Sequence, residues 1–278
     1  MGKARVAREL MAAGAPIAEL NTVRKHLSKV KGGQLAAAFS CGVTALVLSD
    51  VVGDAFDVVG SGPLAPDPTT LDDAAAILER RLSPATSELA RAALVETAKS
   101  TGVRHVLVAG PALARDAAAE VARARLVGVS VAVDPTPVEG EVSALAAAYA
   151  ARLWGTEARP GLTVAVGEPV VRTPAGARTG IGGRSLQLAL ELARLGRAKG
   201  GWAFLAAGTD GRDGSSKAAG ALVDGTSWER IGAAGLDGER SLAEFNAEPA
   251  LEAAGCLVVT GPTGNNLQDL HLLFVGAK

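Results

Sequence analysis

The sequence predicts an α/β protein with two domains, and three observations lead to that prediction. Strand-like and helix-like segments alternate between residues 71 and 154, as in βαβ units that build a parallel sheet. Loops rich in glycine and polar residues follow several of the predicted strands, which is where α/β proteins bind their ligands. The 278 residues are 48% apolar, which is enough to form the core of one large domain or two modest ones.

The composition also excludes several classes of protein. A net charge of -1 gives no general attraction for nucleic acid or for an anionic membrane. The two cysteines, Cys41 and Cys256, are far apart and the three histidines are scattered, which argues against a disulfide framework and against a zinc centre. No apolar run reaches the ~18 residues of a membrane span, and the charged opening does not resemble a signal peptide. We therefore expect a cytoplasmic protein.

Apolar spacing predicts the elements of the first half in order. Two amphipathic helices over 3–14 and 16–29 precede a short buried helix over 34–40 and a buried strand over 43–49. The following loop, 50–70, is long enough to suggest that it has a function. The remaining elements of this half are helices over 71–81, 87–101, 111–126 and 141–154 and strands over 105–109 and 129–133.

The character of the sequence changes near Arg159-Pro160-Gly161, and we expect a domain boundary at residues 155–160. A glycine-bearing loop over 174–183 leads into a helix over 184–195. The other elements of the second half are strands over 162–166, 202–207, 256–260 and 270–275 and short helices over 227–234 and 242–254.

The second helix carries a basic stretch that ends in two glycines. Asn21, Arg24, Lys25 and Ser28 are three or four residues apart and so share one face of the helix. Such a face concentrates the cations and hydroxyls that a phosphate or carboxylate ligand needs, and Lys31 follows directly before Gly32-Gly33. A solvated basic face explains the same residues equally well.

Two further groups of residues lie in the long loop after the first strand. Asp50 ends that strand, and with Asp54 it could bind a metal ion or a ligand hydroxyl. The backbone amides of Ser61-Gly62 could bind an anion. We expect Thr70, at the end of the loop, to cap the helix that begins at Leu71.

Glycines open the helix over 184–195. Gly182 and Gly183 would allow the amide end of this helix to approach an oxyanion closely, and Arg184 could bind the same anion through two N–H groups. The pattern is only weakly related to nucleotide-binding loops, because it contains neither GxGxxG nor a Walker lysine.

Two more loops follow predicted strands in the second half. In Gly208–Gly214, Asp210 and Asp213 could hold a divalent cation, although Asp-Gly pairs usually form turns. The turn-rich loop 260–266 contains Thr263 and Asn265. A serine or cysteine nucleophile lacks support, since the chain has no Gly-x-Ser-x-Gly elbow.

Five segments occur in a characteristic order: ELNTVRKHLSKVKGG, SDVVGDAFDVVGSGPLAPDPTT, GIGGRSLQLAL, GTDGRDG and TGPTGNNLQDLHLL. Together they resemble the glycerate 2-kinases of the MOFRL type, some of which were formerly labelled hydroxypyruvate reductases. The likeness extends from about Lys3 to the C-terminus. It implies a Rossmann-like parallel-sheet domain over 1–157, incomplete at its start, an α/β (α+β) MOFRL domain over 158–278, and an active site in the cleft between them.

The resemblance implies ATP-dependent phosphorylation of D-glycerate to 2-phosphoglycerate with Mg²⁺. We expect no nucleic acid or membrane partner, and a homodimer stays open. We predict catalytic roles for Arg184, Asp210 and Lys31. We predict substrate or nucleotide binding by Asn21, Arg24, Lys25, Ser28, Ser61, Gly62, Gly182, Gly183, Gln187, Thr263 and Asn265. We predict metal binding by Asp50, Asp54 and Asp213.

Full-length members of that family carry a preceding segment with a Gly-Lys-Ala motif and a Ser-Gly-Gly-Gly turn, and neither stands in its place here. Gly2-Lys3-Ala4 aligns better with a later helix, so we expect a chain truncated at its N-terminus. Two alternatives stay open. One is a hydroxypyruvate reductase using NAD(P)H, which would need a GxGxxG loop that this sequence lacks. The other is an inactive remnant that needs the missing segment.

Overall fold

The computed structural model describes residues 2–156, 158–174, 176 and 179–277, and the chain divides into two compact units, Met1–Val108 and Ala109–Lys278. Residues 175, 177 and 178 of the predicted loop 174–183 lie outside the described residues, as do the predicted domain ends at 1, 157 and 278. The two domains expected at 1–157 and 158–278 stay a prediction.

The first unit packs helices around a small aliphatic core. Its helices are α1 (Lys3–Ala12), α2 (Ile17–His26), α3 (Leu71–Arg81) and α4 (Pro84–Arg91), with 3₁₀ turns at Gln34–Ala38, Val52–Asp54 and Val59–Ser61. The strands β1 (Thr44–Leu48) and β2 (Arg104–Ala109) pair with each other. Val6, Leu10, Val23 and Leu78, all 2% exposed or less, show that α1, α2 and α3 share one core.

Helix boundaries in this unit follow their caps. The Thr70 hydroxyl accepts a hydrogen bond from the Asp73 amide and starts α3, as predicted. The helix predicted over 87–101 is displaced: α4 begins at Pro84, where the Ser83 side chain accepts from the Thr86 amide and proline occupies the first turn. Beyond the end of α4, the Val95 amide donates to the carbonyl of His26, so the chain leaves helical geometry there.

The second unit is built on one seven-stranded mixed sheet. Its strands are β3 (Val131–Val133), β4 (Val138–Glu141), β5 (Gly161–Val170), β6 (Trp202–Gly208), β7 (Gly220–Asp224), β8 (Leu257–Val258) and β9 (Asp269–Val275). Its helices are α5 (Pro111–Arg125), α6 (Val142–Trp154), α7 (Arg184–Leu195), α8 (Ser227–Ala233), α9 (Gly238–Ala243) and α10 (Ala247–Ala253).

The order of strands in this sheet is β3-β5-β9-β6-β7-β8, and β4 also pairs with β5. β3 and β4 lie parallel to successive stretches of β5, whereas the other pairs are antiparallel. The α/β class is therefore confirmed, and the sheet of this unit is mixed. The reason is topological: the last strand, β9, inserts between β5 and β6 and runs against both.

Three features of this unit differ from the sequence prediction. β4 and β7 each contain a glycine and an acidic residue, types that strands disfavour, and they form because neighbouring strands supply their hydrogen-bond partners. At Gly220 in β7 a Cβ would lie 2.6 Å from the Cα of Ala207, so only glycine fits. The helix expected over 242–254 is two helices, α9 and α10, because the chain turns at Phe245, whose φ is +51°.

α7 is the central helix of the second unit and positions the site. Leu186, Leu188, Leu190 and Leu192 are all fully buried, so the helix is covered on several sides. Its first residue, Arg184, lies near the start of β9 and the loop after β6. Within the described part of the chain, no helix is both long and apolar enough to cross a membrane.

Candidate functional site

Arg184, the first residue of α7, is held by two acidic side chains. Its Nε donates to Asp269 Oδ2 at 2.7 Å and its Nη2 to Asp269 Oδ1 at 3.1 Å, and Nη2 also donates to Glu168 Oε1 at 2.9 Å. Burial opposes the charge of Arg184, but these bonds outweigh burial, and its pKa lies above the ordinary value. The guanidinium is therefore charged and fixed in orientation.

A cavity of about 420 Å³, here called the Arg184 cavity, lies at this end of α7. Among the described residues, no partner accepts from Arg184 Nη1 or from the backbone amides of Gly183 and Arg184, and both residues line the cavity. Free N–H groups at a helix N-terminus, beside a fixed guanidinium, form a suitable environment for an anion. Arg212, Gln187 and Ser215 also line this cavity.

Asp213 caps α7 from inside the protein. Its Oδ1 accepts from the Ser185 amide at 3.1 Å and its Oδ2 from the Leu186 amide at 2.7 Å. Burial outweighs these bonds and raises the pKa of Asp213 to about 6. A Cβ at Gly183 would lie 2.5 Å from the carboxyl carbon of Asp213, so the glycine permits this close approach. Both oxygens already accept hydrogen bonds, and the metal-binding role of Asp213 stays a prediction.

The glycine-bearing loop before α7 is bound to the turn between α9 and α10. The Gly180 amide donates to the Glu244 carbonyl, the Ile181 amide to Asn246 Oδ1, and the Glu248 amide to the Ile181 carbonyl. The amide of Gly182 donates to Ser215 Oγ at 3.2 Å. Of the two predicted anion-binding glycines, only Gly183 therefore keeps an amide without a partner among the described residues.

The structure brings only part of the remaining predicted set of the second half to the Arg184 cavity. Asp210 and Gln187 line it; Asp210 Oδ1 accepts from the Arg212 amide, and Gln187 Nε2 donates to the Leu242 carbonyl. Thr263 instead joins two loops, with its amide donating to the Asp210 carbonyl and its hydroxyl to the Thr209 carbonyl. Asn266 lines the cavity, whereas its neighbour Asn265 is not among the lining residues that the structure describes.

In the first unit, Lys25 is buried rather than part of a solvated basic face. It is 4% exposed, and its Nζ lies 3.2 Å from Asp67 Oδ1 and 3.5 Å from Asp57 Oδ2. Burial alone would raise the pKa of Asp67, but hydrogen bonds from Thr69 and the charge of Lys25 hold it below the ordinary value. Lys25 thus forms an internal ion pair with Asp67, and its role in ligand binding stays a prediction.

Two predicted motifs of the first unit meet through their backbones. The amides of Gly32 and Gly33 donate to the carbonyls of Ser61 and Gly62 at 3.0 and 2.7 Å. The Ser61 hydroxyl then donates to Asn21 Oδ1 at 3.3 Å. The residues predicted to act together in this half are therefore adjacent.

A cavity of about 330 Å³ beside this junction is lined by three cations, Lys3, Arg24 and Lys31, and by no acidic residue among those the structure describes. Lys31 Nζ donates to the Gly60 carbonyl at 2.6 Å, and Arg24 Nη1 donates to Asn21 Oδ1 at 3.4 Å. Burial, followed by the charges of Arg24 and Lys3, lowers the pKa of Lys31. Cations that lower one another's pKa in a cavity favour an anionic ligand.

The remaining candidates of the first unit have varied surroundings. Ser28 Oγ accepts from the amides of Val30 and Lys31 and so closes a local turn. Asp50 is exposed, whereas Asp54 Oδ1 is buried and has no hydrogen-bond partner in the described structure. Across the described ranges, no group of three or more His, Cys, Asp or Glu side chains is placed to hold a metal ion.

Sequence reasoning missed several residues that shape the Arg184 cavity or the charge within it, among them Glu168, Ser215, Phe245 and Asp269. Asp269 and Glu168 are acidic residues within strands β9 and β5, and an acidic residue in a largely apolar strand is a usable signal. Ser215 follows an Asp-Gly turn, and Phe245 has no distinguishing local pattern.

Comparison with known proteins finds two families that match parts of this chain and several relatives that match most of it. Residues 1–95 match the family described as "Domain of unknown function (DUF4147)", and residues 161–269 match the MOFRL family. A relative from Agrobacterium vitis, named "Putative hydroxypyruvate reductase", is 42% identical and covers 99% of this chain and 64% of its own length. The "D-glycerate 2-kinase" of Thermotoga maritima is 37% identical over 94% of this chain and 63% of its own length.

A solved structure is also similar to this chain. The crystal structure of glycerate kinase from Thermotoga maritima superposes with a TM-score of 0.88 at 36% identity, and the match covers 98% of this chain and 67% of that one. The chain spans slightly less than two thirds of the length of the two relatives above.

Proposed function

Because the chain belongs to the family of glycerate kinases that carry a MOFRL domain, we propose that it transfers the γ-phosphoryl group of ATP to the 2-hydroxyl of D-glycerate. The products are 2-phosphoglycerate and ADP. The observation that carries the proposal is the fixed guanidinium of Arg184, with Nη1 free of described partners in a cavity of about 420 Å³ beside the open amides of α7.

In this reaction the glycerate 2-oxygen forms a bond to the γ-phosphorus, the bond from that phosphorus to ADP breaks, and the hydroxyl proton passes to solvent water. Such transfers depend on aligning the acceptor hydroxyl with the phosphoryl donor and on stabilising the charge of the transferred phosphoryl group. We propose that Arg184 Nη1 and the amides of Gly183 and Arg184 bind that group or the glycerate carboxylate. Asp269 and Glu168 keep the guanidinium in place without occupying Nη1.

The Arg184 cavity also suits Mg²⁺, which proteins commonly bind through one or two carboxylates together with substrate phosphates. Asp210 lines the cavity, and its Oδ2 has no partner among the described residues, so Asp210 would hold the ion. Bound there, Mg²⁺ would neutralise negative charge on the phosphates. Thr263 and Asn265 would act by shaping the loop next to Asp210.

In the first unit we propose that Lys31 and Arg24 contact an anionic part of the ligands, with Asn21 and Ser61 as their support. The three-cation cavity beside them supports this. Binding roles for Lys25, Ser28 and Gly62, metal binding by Asp50 and Asp54, a Rossmann-like first domain and an active site in the interdomain cleft all stay predictions. So do a cytoplasmic location and a homodimer.

The test is a coupled assay of the purified chain with D-glycerate and Mg·ATP, detecting ADP. We expect activity that falls by on the order of 10²-fold in Arg184→Ala, because an electrostatic contact to the transferred group is lost. Arg125→Ala is the matched control: Arg125 is exposed at the end of α5 and does not line the Arg184 cavity. Equal activity of the two variants would contradict the assignment of Arg184.

A reductase is the second candidate, since the Agrobacterium vitis relative carries that name. The same preparation is therefore mixed with hydroxypyruvate and NADPH or NADH. We expect no oxidation of the nicotinamide, because the chain lacks a GxGxxG loop. A thermal melt separates the third alternative: a remnant without function would show no shift with either pair of ligands.

A further inference from the structure

A second cavity, of about 490 Å³, adjoins the Arg184 cavity. We call it the Glu191 cavity. Val171, Gln187 and Phe245 line both cavities, so these three residues form their common wall. A ligand that extends from one cavity into the other would pass Phe245.

Both cavities are lined by three carboxylates and two arginines, and they differ in the hydrogen-bond donors that are free. The Arg184 cavity contains the free Nη1 and the open amides described above. The Glu191 cavity is lined by three carboxylates, Glu141, Glu191 and Glu239, and one of its arginines, Arg194, is paired with Glu191 at 2.5 Å. Phosphate groups therefore favour the Arg184 cavity, because its open helix amides and Arg184 Nη1 can bind them. The carboxylates of the Glu191 cavity can accept hydrogen bonds from the hydroxyls of a neutral group.

Phe245 adopts a backbone conformation that is costly for an aromatic residue. Its φ is +51°, in the left-handed region that favours glycine or asparagine. The neighbouring residues impose it: the Glu244 carbonyl and the Asn246 side chain accept from the amides of Gly180 and Ile181. The glycine-bearing loop thus fixes the backbone at Phe245, a half-buried residue that lines both cavities.

We propose that Phe245 is the platform on which the base of the phosphoryl-donor nucleotide stacks, with its nucleoside in the Glu191 cavity and its phosphates in the Arg184 cavity. The assignment rests on the proposed kinase function. Glycerate has three carbons, a charged carboxylate and no flat apolar face, so it cannot stack on an aromatic ring. A nucleotide has a flat base, a neutral sugar with hydroxyls and a charged phosphate end. The base would stack on Phe245, the sugar would lie in the Glu191 cavity and the phosphates would lie in the Arg184 cavity.

The test measures binding by calorimetry to the purified chain, with a non-hydrolysable ATP analogue and with inorganic tripolyphosphate as probes. Phe245→Asn removes the ring while tolerating a positive φ, Phe245→Tyr keeps the ring, and Phe39→Asn is a matched control at an aromatic residue that is 47% exposed and lines neither cavity. We expect Phe245→Asn to weaken binding of the analogue about tenfold and to leave tripolyphosphate within about twofold. The other two variants should bind both probes like the parent chain.

A thermal melt separates a platform from a structural role. Asparagine suits the left-handed region, so the melting temperature of Phe245→Asn should stay within a few degrees of the parent. Equal weakening of both probes, or no weakening of the analogue, would overturn the platform while leaving the kinase function intact. A parent chain that binds neither probe would overturn both proposals.

Discussion

Arg184 and Asp269 form a two-point ion pair between the first residue of α7 and the first residue of β9, with N···O distances of 2.7 and 3.1 Å. The side chain of Asp269 is 4% exposed, and its Oδ2 also accepts from the Ser185 hydroxyl at 3.0 Å. The pair therefore fixes both the guanidinium and the start of the helix. Eighty-five positions of sequence separate the two partners.

Replacing Asp269 by asparagine should disturb both stability and activity. The amide nitrogen of asparagine would face an N–H donor of Arg184, so we expect a loss of about 2–3 kcal/mol in the free energy of unfolding. We also expect a decrease of about tenfold in kcat/KM, because Arg184 loses its orientation. Glu168→Gln is the matched control; Glu168 is 41% exposed, and its pair should contribute less than about 1 kcal/mol. Urea unfolding and steady-state kinetics check both, and equal effects would contradict this assignment.

The pH dependence of stability should reveal Asp213. Its pKa is raised to about 6, so between about pH 4 and pH 6 the folded chain holds a proton that the unfolded chain has lost. This carboxyl therefore makes stability decrease as the pH rises through that range, by about 3 kcal/mol in total. In Asp213→Asn the contribution disappears, and the stability of the variant relative to the parent should improve by about that amount from pH 4 to pH 7.

Urea unfolding at several pH values measures this difference. His271 titrates in the opposite sense, since burial lowers its pKa to about 4, and it costs stability as the pH falls below about 6.5. Both proteins contain His271, so its contribution cancels when the variant is compared with the parent. A stability difference that does not change with pH would show that Asp213 titrates normally.

Lys25 and Asp67 should be coupled in stability. Their side chains are 5% and 0% exposed, so Lys25→Met leaves a buried carboxylate without its counter-ion. We expect a loss of about 3–5 kcal/mol in the free energy of unfolding. Lys25→Met combined with Asp67→Asn should recover part of that loss, because no buried charge then remains unpaired. A double-mutant cycle measures the coupling, and strictly additive effects would mean that the pair contributes nothing.

Gly183 should tolerate no side chain. A Cβ there would overlap the carboxyl group of Asp213, so Gly183→Ala should lower the free energy of unfolding by about 2 kcal/mol or more and reduce activity as α7 moves. Gly200→Ala is the matched control, since a Cβ at Gly200 meets no atom within 4 Å. Thermal melts of both variants, measured side by side, decide the point; comparable melting temperatures would show that the chain relaxes around the new methyl group.

Local signals predicted the parts of the site that lie within one element. The helix predicted over 184–195 is α7, because the glycines before Arg184 mark its start and the twelve residues of the helix contain neither glycine nor proline. The cap at Thr70 was predictable for the same reason, since the hydroxyl and the amide it accepts from are three residues apart. The strand β7 was not predictable in this way, because Gly220 and Asp224 at its ends are residue types that strands disfavour.

The sequence by itself determined the α/β class, the position of α7 and the presence of glycines and an arginine at its start. Only the tertiary structure decided that Asp269 orients Arg184, that the Gly182 amide donates to Ser215, and that Lys25 forms an ion pair with Asp67. Helix propensity, capping and apolar spacing act between residues a few positions apart and can be read directly. The partner of a charge depends on which distant segment the topology brings beside it, and here that is decided by β9 inserting between β5 and β6 and by the long loop of the first unit folding back onto α2.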